Sequence, residues 1–392
     1  MRSAASIAIL VSARRIANRE RLFLRVADLL TRRRCTVTFL AASPEHALRS
    51  VLHASYDLVD ISPLPPSSLG VTVPHGLRMA SSVPKLASYL RRAKPDVLFA
   101  TSVPPNLVAA TAASTTGFRG RLVLRQSNAV HVAGAAALAD VDSHWRDRLI
   151  PRLYRRADAI IANSAGVARN LVELGLDTNG IVAIPNGVEC DWVDEASRDA
   201  LRLAVPDSGS GPLIVTAGRL VPQKDHATLV RAFACLQVLL PSRLVILGDG
   251  PERARLESLA RNLGVHDRIL FPGYLDNPFP LFSRADLFVL SSRYEGMPNV
   301  LLEALACGLP VVSTDCPHGP AEILKDGWFG SLVPIGDHRR LAQEMMRSLR
   351  APRNPERQRA RARQFDEARI AQLYVDALLR SQQPSTLRQA AE

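Results

Sequence analysis

Along nearly the whole chain, short apolar and often β-branched runs alternate with segments of helical periodicity. The apolar runs are Ser6–Val11, Val37–Ala41, Val97–Ala100, Leu122–Leu124, Ala159–Ala162, Ile181–Ile184, Leu213–Ala217, Arg243–Leu247, Ile269–Phe271, Leu287–Leu290, Val311–Thr314 and Gly330–Val333. The helical segments between them include Arg19–Arg33, His226–Leu239, Pro251–Leu263 and Asn299–Cys307. Continuous apolar strands separated by helices are typical of parallel sheets that are covered on both faces. Two such sets predict an α/β chain with two doubly wound, Rossmann-like domains.

The length of the chain agrees with two domains, because 392 residues exceed what one compact core usually holds. The Gly- and Ser-rich stretch from Pro206 to Pro212 precedes a new strand, and we place the domain border there. The predicted domains are residues 1–205 and 206–363. Residues 364–392 are predicted to form a helix, Gln364–Leu379, and a tail, and packing of this segment on the N-terminal domain is one option.

Composition excludes several classes of protein. Apolar residues make up 47% of the chain and charged residues 22%, which excludes a largely disordered chain. No run reaches the ~18 apolar residues that a membrane span needs. The five cysteines are scattered without a C-x-x-C pair, which favours a reducing compartment and gives no zinc site. Because the apolar run Ala4–Val11 is short and Arg14 and Arg15 follow at once, we interpret it as a buried strand rather than an export signal.

The most informative segment follows the predicted strand Leu287–Leu290. Gly296 and Pro298 predict a tight turn, after which a helix is expected to begin near Asn299 and to end at Gly308. Ligands of parallel sheets bind beyond the carboxyl ends of the strands, and the N-terminus of a helix there favours phosphate.

Glu303 lies in the middle of this apolar helix. A carboxylate in such a place costs free energy unless it is paired or hydrogen-bonded. The vicinal hydroxyls of a ribose would satisfy both of its oxygens, and so would an arginine elsewhere in the core. Both alternatives stay open at this point.

Two further loops follow predicted strands. Gly218 permits close approach of the backbone, Arg219 offers a planar fork for phosphate, and Lys224 offers a point charge. A solvated basic loop would have the same composition. Gly248 and Gly250 follow the next strand, but an arginine stands where a dinucleotide fingerprint has its third glycine. We therefore interpret this pair as a strand-to-helix turn beside a nucleotide.

Together these segments resemble the retaining glycosyltransferases of family 4, the group 1 glycosyltransferases. The resemblance is strongest from about Leu213 to Asp337 and includes the E-x7-E element of that family, here Glu295 through Glu303. Ala157–Ser164 and Ile184–Val188 are similar to sequences near the domain junction of the family. The resemblance implies the GT-B architecture, in which two doubly wound Rossmann-like domains face a central cleft.

The resemblance also implies a role for individual residues. Arg219 and Lys224 would hold the diphosphate of a nucleotide-sugar donor, Glu303 would bind the ribose, and Glu295 would contact the donor sugar. Further donor contacts would come from Gly218, Gly248, Gly250, Gly296, Met297, Pro298, Asn299 and Val300. No metal and no bound cofactor are implied, since two cations and a helix N-terminus can neutralise the leaving diphosphate.

The N-terminal half departs from the family pattern. Ala17 and Asn18 stand where many relatives have two glycines, which limits backbone approach to the diphosphate. After the strand Leu122–Leu124, Asn128 or Arg125 would serve the donor sugar, and His131 is a weaker candidate. The D-x-D spacing of Asp140 and Asp142 is interpreted as chance.

The charge balance adds information on partners. The 49 Lys and Arg residues exceed the Asp and Glu residues by 12, which suggests anionic partners. The arginines of the segment Arg19–Arg33, together with apolar Leu22, Phe23 and Val26, suggest peripheral membrane contact through the N-terminal domain, although a solvated helix face would have the same composition.

The sequence thus predicts a cytoplasmic retaining glycosyltransferase, in contact with the inner face of a membrane. It would transfer a sugar from a UDP-linked donor to a glycan or lipid-linked acceptor in bacterial cell-surface polysaccharide or glycolipid biosynthesis. The alternatives are a GT-B nucleotide-sugar epimerase, which has a different layout of glutamate and histidine, and a non-catalytic relative that only binds sugar nucleotides. A basic nucleic-acid-binding protein is disfavoured because the sequence has no zinc finger and no aromatic stacking platform.

Overall fold

The computed structural model describes residues 4–11, 18–42, 56–62, 81–130, 143–201, 203 and 211–380, without the side chains of residues 18–20 and 143–148. The described residues form two compact units. One unit contains the residues up to Pro185 and those from Ala368 on, and the other contains Asn186–Glu367. The sequence places the border at residues 205 and 206, and residues 204–210 lie outside the described ranges. Val188 and Val193 belong to the core of the second unit, so the chain enters that unit before the predicted border.

The first unit is built on a seven-stranded sheet in which all neighbouring strands are parallel, in the order β3-β2-β1-β4-β5-β6-β7. Its strands are β1 (Ser6–Val11), β2 (Thr36–Ala41), β3 (Asp57–Asp60), β4 (Val97–Ala100), β5 (Arg121–Gln126), β6 (Ala159–Ala162) and β7 (Ile181–Ala183). Its helices up to β7 are α1 (Asn18–Arg32), α2 (Val83–Ala93), α3 (Val103–Thr116), α4 (Ser143–Tyr154) and α5 (Ala165–Glu173). Alternate residues of β1 enter two different cores, one on each face of the sheet.

The apolar side of α1 belongs to one of these cores. Leu22, Phe23, Val26 and Leu30 are buried there, and Leu29 packs against them. The expectation that these side chains contribute to a membrane-binding patch is therefore wrong, because they cover the sheet instead. Among the described side chains of α1, Asp28, Thr31 and Arg32 are the exposed ones.

The second unit contains a six-stranded parallel sheet in the order β10-β9-β8-β11-β12-β13. Its strands are β8 (Leu213–Ala217), β9 (Arg243–Leu247), β10 (Ile269–Gly273), β11 (Leu287–Leu290), β12 (Val311–Thr314) and β13 (Ser331–Val333). Its helices are α6 (Cys190–Ala196), α7 (His226–Gln237), α8 (Arg253–Asn262), α9 (Phe279–Phe282), α10 (Asn299–Ala306), α11 (Pro320–Leu324), α12 (His338–Arg350) and α13 (Pro355–Arg363). The sheet grows in one direction from β8 to β10 and in the other from β11 to β13. The two sheets confirm the predicted class of two Rossmann-like domains.

The C-terminal helix, α14 (Glu367–Leu379), packs within the first unit. Tyr374 is buried in a core that also contains β1 and α1 residues, and its hydroxyl accepts a hydrogen bond of 2.7 Å from Arg125 Nε. Arg121 Nη1 donates to the Ala377 carbonyl at 2.7 Å. The chain therefore returns to the unit in which it begins. No helix of the described residues is both long and apolar enough to cross a bilayer.

Candidate functional site

The point where the strand order of the second sheet reverses lies between β8 and β11, which are hydrogen-bonded neighbours. The chain leaves β8 into Gly218 and Arg219, and it leaves β11 into Ser291. Open α/β sheets bind their ligands in the crevice at such a reversal, beyond the carboxyl ends of the strands. The fold thus brings together two segments that the sequence places about 70 residues apart.

Close backbone packing holds the Gly218 loop in place. Gly218 N donates to the Leu247 carbonyl at 3.0 Å. Gly248 has φ of +118°, and a Cβ at this position would lie 2.0 Å from the Gly218 carbonyl oxygen. A Cβ at Gly250 would lie 2.4 Å from the Leu220 carbonyl oxygen. Gly248 and Gly250 therefore let the turn after β9 support the loop after β8.

The centre of the candidate site is an ion pair between the two loops. Lys224 Nζ lies 2.5 Å from Glu295 Oε1, and the side chains are 15% and 7% exposed. Ser292 Oγ donates to the same carboxylate oxygen at 2.6 Å. The pair links the end of β8 to the end of β11 in a largely desolvated place, where such a pair is costly to break.

Further hydrogen bonds tie the two loops together. Ser291 Oγ donates to the Lys224 carbonyl at 2.9 Å, and Gln223 Nε2 donates to the Tyr294 carbonyl at 2.9 Å. Asp225 caps α7 with a left-handed backbone, φ 44°, and accepts a hydrogen bond of 3.1 Å from Arg293 Nε. The orientation of Lys224 is thus set by its own loop and by the neighbouring one.

The turn before α10 is held by residues from two other parts of the unit. Glu295 N donates to the Pro317 carbonyl at 3.2 Å. Asn186 Nδ2 donates to the Met297 carbonyl at 3.0 Å and to Asn299 Oδ1 at 2.6 Å. Asn186 could not be assigned a role from the sequence beyond its place in a family-like segment, because it contacts residues more than 100 positions away.

The first turn of α10 has no capping side chain. Pro298 occupies the N-cap position and has no polar side chain, and Asn299 and Val300 follow it in the first turn. The amino end of a helix attracts anions through its free amides and its dipole. This end of α10 therefore suits a phosphate group, as the sequence predicts.

Glu303 lies on the same side of α10 as Asn299, one turn further along the helix, and is 9% exposed. Cys307 lies one more turn along. Burial and, next, the Glu303 carboxylate raise the pKa of the Cys307 thiol to about 12. A carboxylate buried on an apolar helix therefore faces the same side as the Asn186–Asn299 pair.

The buried histidine and cysteine next to these loops carry no charge at neutral pH. His226 is 4% exposed, and burial, together with Lys224, lowers its pKa to about 4, so the imidazole is neutral. Burial and the neighbouring Glu295 raise the pKa of Cys316 to about 12, so it remains a thiol. Sequence reasoning missed both residues, because only burial reveals them.

Arg219 is the unpaired cation of these loops. Lys224 is neutralised by Glu295, and Arg293 is paired with Asp225. The Arg219 side chain is exposed and makes no hydrogen bond or ion pair with any residue that the structure describes. Its guanidinium is free to bind an anion from solution.

In the first unit, Asn128 is exposed on the loop after β5. Gln126 Nε2 donates to its carbonyl at 2.5 Å, and Asn163 Nδ2 donates to the Ser127 carbonyl at 2.8 Å. Arg125 is 1% exposed and lies over the ring of Phe23 at 5.6 Å. Arg125 is thus a core residue rather than a candidate for sugar binding, because its guanidinium is used inside the unit.

Several other candidates lie outside what the structure describes. These are Ala17, the side chain of Asn18, His131, Asp140 and Asp142. Within the described ranges, no three His, Cys, Asp or Glu side chains are grouped as metal ligands.

Two family models match this chain. The model of the group 1 glycosyl transferases matches residues 198–365, and the model named Glycosyltransferase Family 4 matches residues 20–192. The chain belongs to glycosyltransferase family 4. Both predictions, the family and the GT-B fold, are confirmed.

Similar proteins carry related names. The N-acetylgalactosamine-N,N'-diacetylbacillosaminyl-diphospho-undecaprenol 4-alpha-N-acetylgalactosaminyltransferase of Campylobacter jejuni is 32% identical over 238 residues, 59% of this chain and 62% of that protein. The lipopolysaccharide core biosynthesis glycosyltransferase LpsE of Rhizobium meliloti is 38% identical over 184 residues, 47% of this chain and 52% of that protein. These alignments thus span less than two thirds of either relative.

Solved structures of the same fold cover more of the chain. HepE of Anabaena, crystallised with UDP, has a TM-score of 0.75 at 21% identity, covering 95% of this chain and 99% of its own. The lipopolysaccharide outer core galactosyltransferase WaaB has a TM-score of 0.71 at 19% identity, covering 95% of this chain and 98% of its own. At this identity the likeness concerns the fold, which is GT-B.

Proposed function

We propose that this protein transfers a sugar from a nucleotide diphosphate sugar to a glycan or lipid-linked acceptor in bacterial cell-surface polysaccharide or glycolipid biosynthesis. The observation that carries the proposal is the arrangement at the β8–β11 reversal. Unpaired Arg219, the Lys224–Glu295 pair and the uncapped end of α10 converge there, with Glu303 one turn along the helix. Cations and helix amides at one edge suit a diphosphate, and a buried carboxylate suits the hydroxyls of a ribose.

The names of related proteins support the proposed donor nucleotide and the proposed acceptor. HepE was crystallised with UDP, which favours a UDP-linked donor. The Campylobacter relative is named for an undecaprenol diphosphate acceptor, and the Rhizobium relative for lipopolysaccharide core biosynthesis. Both names favour a lipid-linked saccharide as the acceptor here.

The proposed donor complex uses the chain's own charges. Arg219 and Lys224 hold the two phosphates, the amides of Asn299 and Val300 bind the same group, and Glu303 accepts hydrogen bonds from the ribose. These groups stabilise the negative charge that develops on the leaving diphosphate, so no metal ion is needed. When the phosphates take over Lys224, the Glu295 carboxylate becomes free to orient a sugar hydroxyl.

Transfer would proceed with retention of configuration. The bond between the anomeric carbon and the diphosphate oxygen breaks, and the acceptor oxygen bonds to the same face of that carbon. The acceptor proton passes to the departing phosphate oxygen, so no nucleophilic side chain takes part. The work of the protein is to hold donor and acceptor together and to stabilise the leaving group.

The proposed setting is the cytoplasm, at the inner face of the membrane, where a lipid-linked acceptor is accessible. Contact through the N-terminal domain would be electrostatic, because the apolar side of α1 is buried. The basic side of that helix would face anionic headgroups.

The test is a transfer assay with purified protein, UDP-, GDP- and ADP-linked sugars and undecaprenyl diphosphate-linked saccharides, with a chelator present throughout. We expect transfer from one donor class, with a product of the same anomeric configuration as the donor, measured by NMR. Arg219→Gln should abolish most of the transfer. Arg231→Gln is the matched control, because Arg231 is also exposed in the same unit and likewise has no partner in the described chain.

Three results would count against the proposal. Dependence on added metal would contradict the role of Arg219 and Lys224. Inversion at the anomeric carbon would contradict transfer on one face. Binding of UDP without transfer to any acceptor would favour the non-catalytic relative.

A further inference from the structure

Basic and aromatic side chains gather at the amino-terminal edge of the second unit's sheet, opposite the edge that carries the candidate site. In residues 338–363, which contain many arginines, Glu344 and Glu356 are the only acidic residues. We use the name basal patch for six residues of this edge. They are Lys325, Trp328, Arg347, Arg350, Arg353 and Arg357.

Hydrogen bonds locate the patch on the edge. Arg347 Nη2 lies 3.1 Å from Ser331 Oγ, at the first residue of β13. Arg353 Nη2 donates to the Ala285 carbonyl at 3.0 Å, close to the start of β11. The last turn of α12 and the linker to α13 therefore pass beneath the strands where these begin. The loops of the candidate site leave the opposite ends of the strands.

Trp328 is the aromatic member of the patch, and it is 68% exposed. The Arg357 guanidinium lies 5.5 Å from the centre of its ring and donates a hydrogen bond to the Trp328 carbonyl. The exposed indole offers apolar area that contact with another surface can bury. Tryptophan beside arginine is the combination found at the boundary between headgroups and hydrocarbon.

Much of the positive charge of the patch is uncompensated. Arg353 is paired with Asp286 at 3.1 Å, and Arg347 with Glu344 at 2.7 Å. Lys325, Arg350 and Arg357 have no carboxylate partner among the residues that the structure describes. Exposed Asp326 is the nearest acidic residue in sequence to Lys325. The surface therefore favours an anionic partner.

We propose that the basal patch is a docking surface for an anionic phospholipid bilayer. Arginine guanidinium groups form bidentate hydrogen bonds with lipid phosphates, and Trp328 enters the headgroup layer beside them. Nucleic acid fits less well, because Trp328 is a single exposed ring and Phe329 is covered by Arg357 and Arg361 at 5.4 and 5.2 Å. This inference does not depend on sugar transfer, since it concerns the edge away from the donor site.

The test is co-sedimentation of the full chain with vesicles of phosphatidylcholine, with and without phosphatidylglycerol. We expect binding only to the anionic vesicles, and less of it at high salt. The double variant Lys325→Gln with Arg350→Gln should bind about 25-fold more weakly, about fivefold for each charge. Trp328→Ala should also weaken binding and should remove a vesicle-dependent change in tryptophan fluorescence.

The matched control is the double variant Arg231→Gln with Arg261→Gln, which has the same net charge. Both arginines are exposed on other helices of the same unit, and neither has a partner in the described part of the chain. The control should bind vesicles as the unmodified chain does. UDP titration of every variant checks the donor site separately, so failure of the patch and failure of the proposed function are distinguishable.

Absence of binding to anionic vesicles would overturn the proposal. It would also be overturned if the patch and control variants lost the same affinity, since bulk charge alone would then explain the binding. If the patch variants lost affinity for duplex DNA and kept their affinity for vesicles, the surface would be a nucleic-acid site instead.

Discussion

Replacing Glu295 with glutamine is expected to destabilise the ligand-free protein and to strengthen its binding of a nucleoside diphosphate. The Lys224–Glu295 pair is short and largely buried, with side chains 15% and 7% exposed. Removing one partner of such a pair costs about 3–5 kcal/mol, and because glutamine still accepts a hydrogen bond we expect about 3 kcal/mol. For a unit of this size the corresponding fall in Tm is roughly 6–12 °C.

The gain in affinity follows from the same contact. In the unmodified protein a phosphate must displace the Glu295 carboxylate before it reaches the Lys224 ammonium group. A hydrogen bond between charged groups contributes about 1.5–3 kcal/mol, so removing the competitor should tighten UDP binding about tenfold or more. Calorimetric unfolding with and without UDP, together with isothermal titration, measures both effects. The rate of sugar transfer should fall, since the same carboxylate is proposed to orient the sugar.

Glu356→Gln is the matched control for this variant. It breaks the ion pair with Arg359, which is 2.8 Å long but exposed, and an exposed pair contributes at most about 1 kcal/mol. An unchanged Tm in Glu295→Gln, combined with weaker binding of UDP, would refute the reasoning. It would mean that Glu295 contributes directly to phosphate binding and does not compete for Lys224.

Three further predictions concern the support of the site. Asn186→Ala removes the hydrogen bonds to the Met297 carbonyl and to Asn299, and should weaken UDP binding by about 1 kcal/mol, roughly fivefold in titration, with little change in Tm. Burial lowers the pKa of His226 to about 4, so the imidazole binds a proton near pH 6.5 in the unfolded chain but only near pH 4 in the folded one. The free energy of unfolding should therefore fall as the pH is lowered from about 6.5 to 4, and His226→Phe should reduce this fall by up to about 3 kcal/mol, measured by denaturant unfolding across the range. Gly248→Ala should lower Tm strongly and abolish UDP binding, because its Cβ would lie 2.0 Å from a carbonyl oxygen; a stable Gly248→Ala protein that binds UDP would contradict this packing.

The strands and helices that show a clear pattern of apolar residues could be predicted from the sequence. Most strands lie within a residue or two of their expected bounds because they are continuous apolar runs. The strand Asp57–Asp60 was not predicted, since it has only two apolar residues between acidic ends. The terminal helix expected over Gln364–Leu379 is present but begins at Glu367, because residues 364–366 form the hydrogen-bonded turn that follows α13.

The chemistry of the candidate site was visible as residue types but not as contacts. Arg219, Lys224 and Glu295 could be named because they follow strands in a family-like pattern. The ion pair between Lys224 and Glu295 could not be predicted, because a sequence does not show which cation a carboxylate neutralises. The same limit explains Arg125, which could be taken for a sugar-binding residue until its contact with Tyr374 placed it in a core.

The central claim is that the β8–β11 edge of the second unit binds a nucleoside diphosphate. Isothermal titration with UDP, GDP and ADP in the presence of a chelator, on the unmodified chain and on Glu303→Gln, tests it most directly. We expect one diphosphate to bind selectively, and Glu303→Gln to weaken it by about 1.5–3 kcal/mol through the lost hydrogen bonds to the ribose. Failure of all three to bind, or equal binding by Glu303→Gln, would contradict the claim.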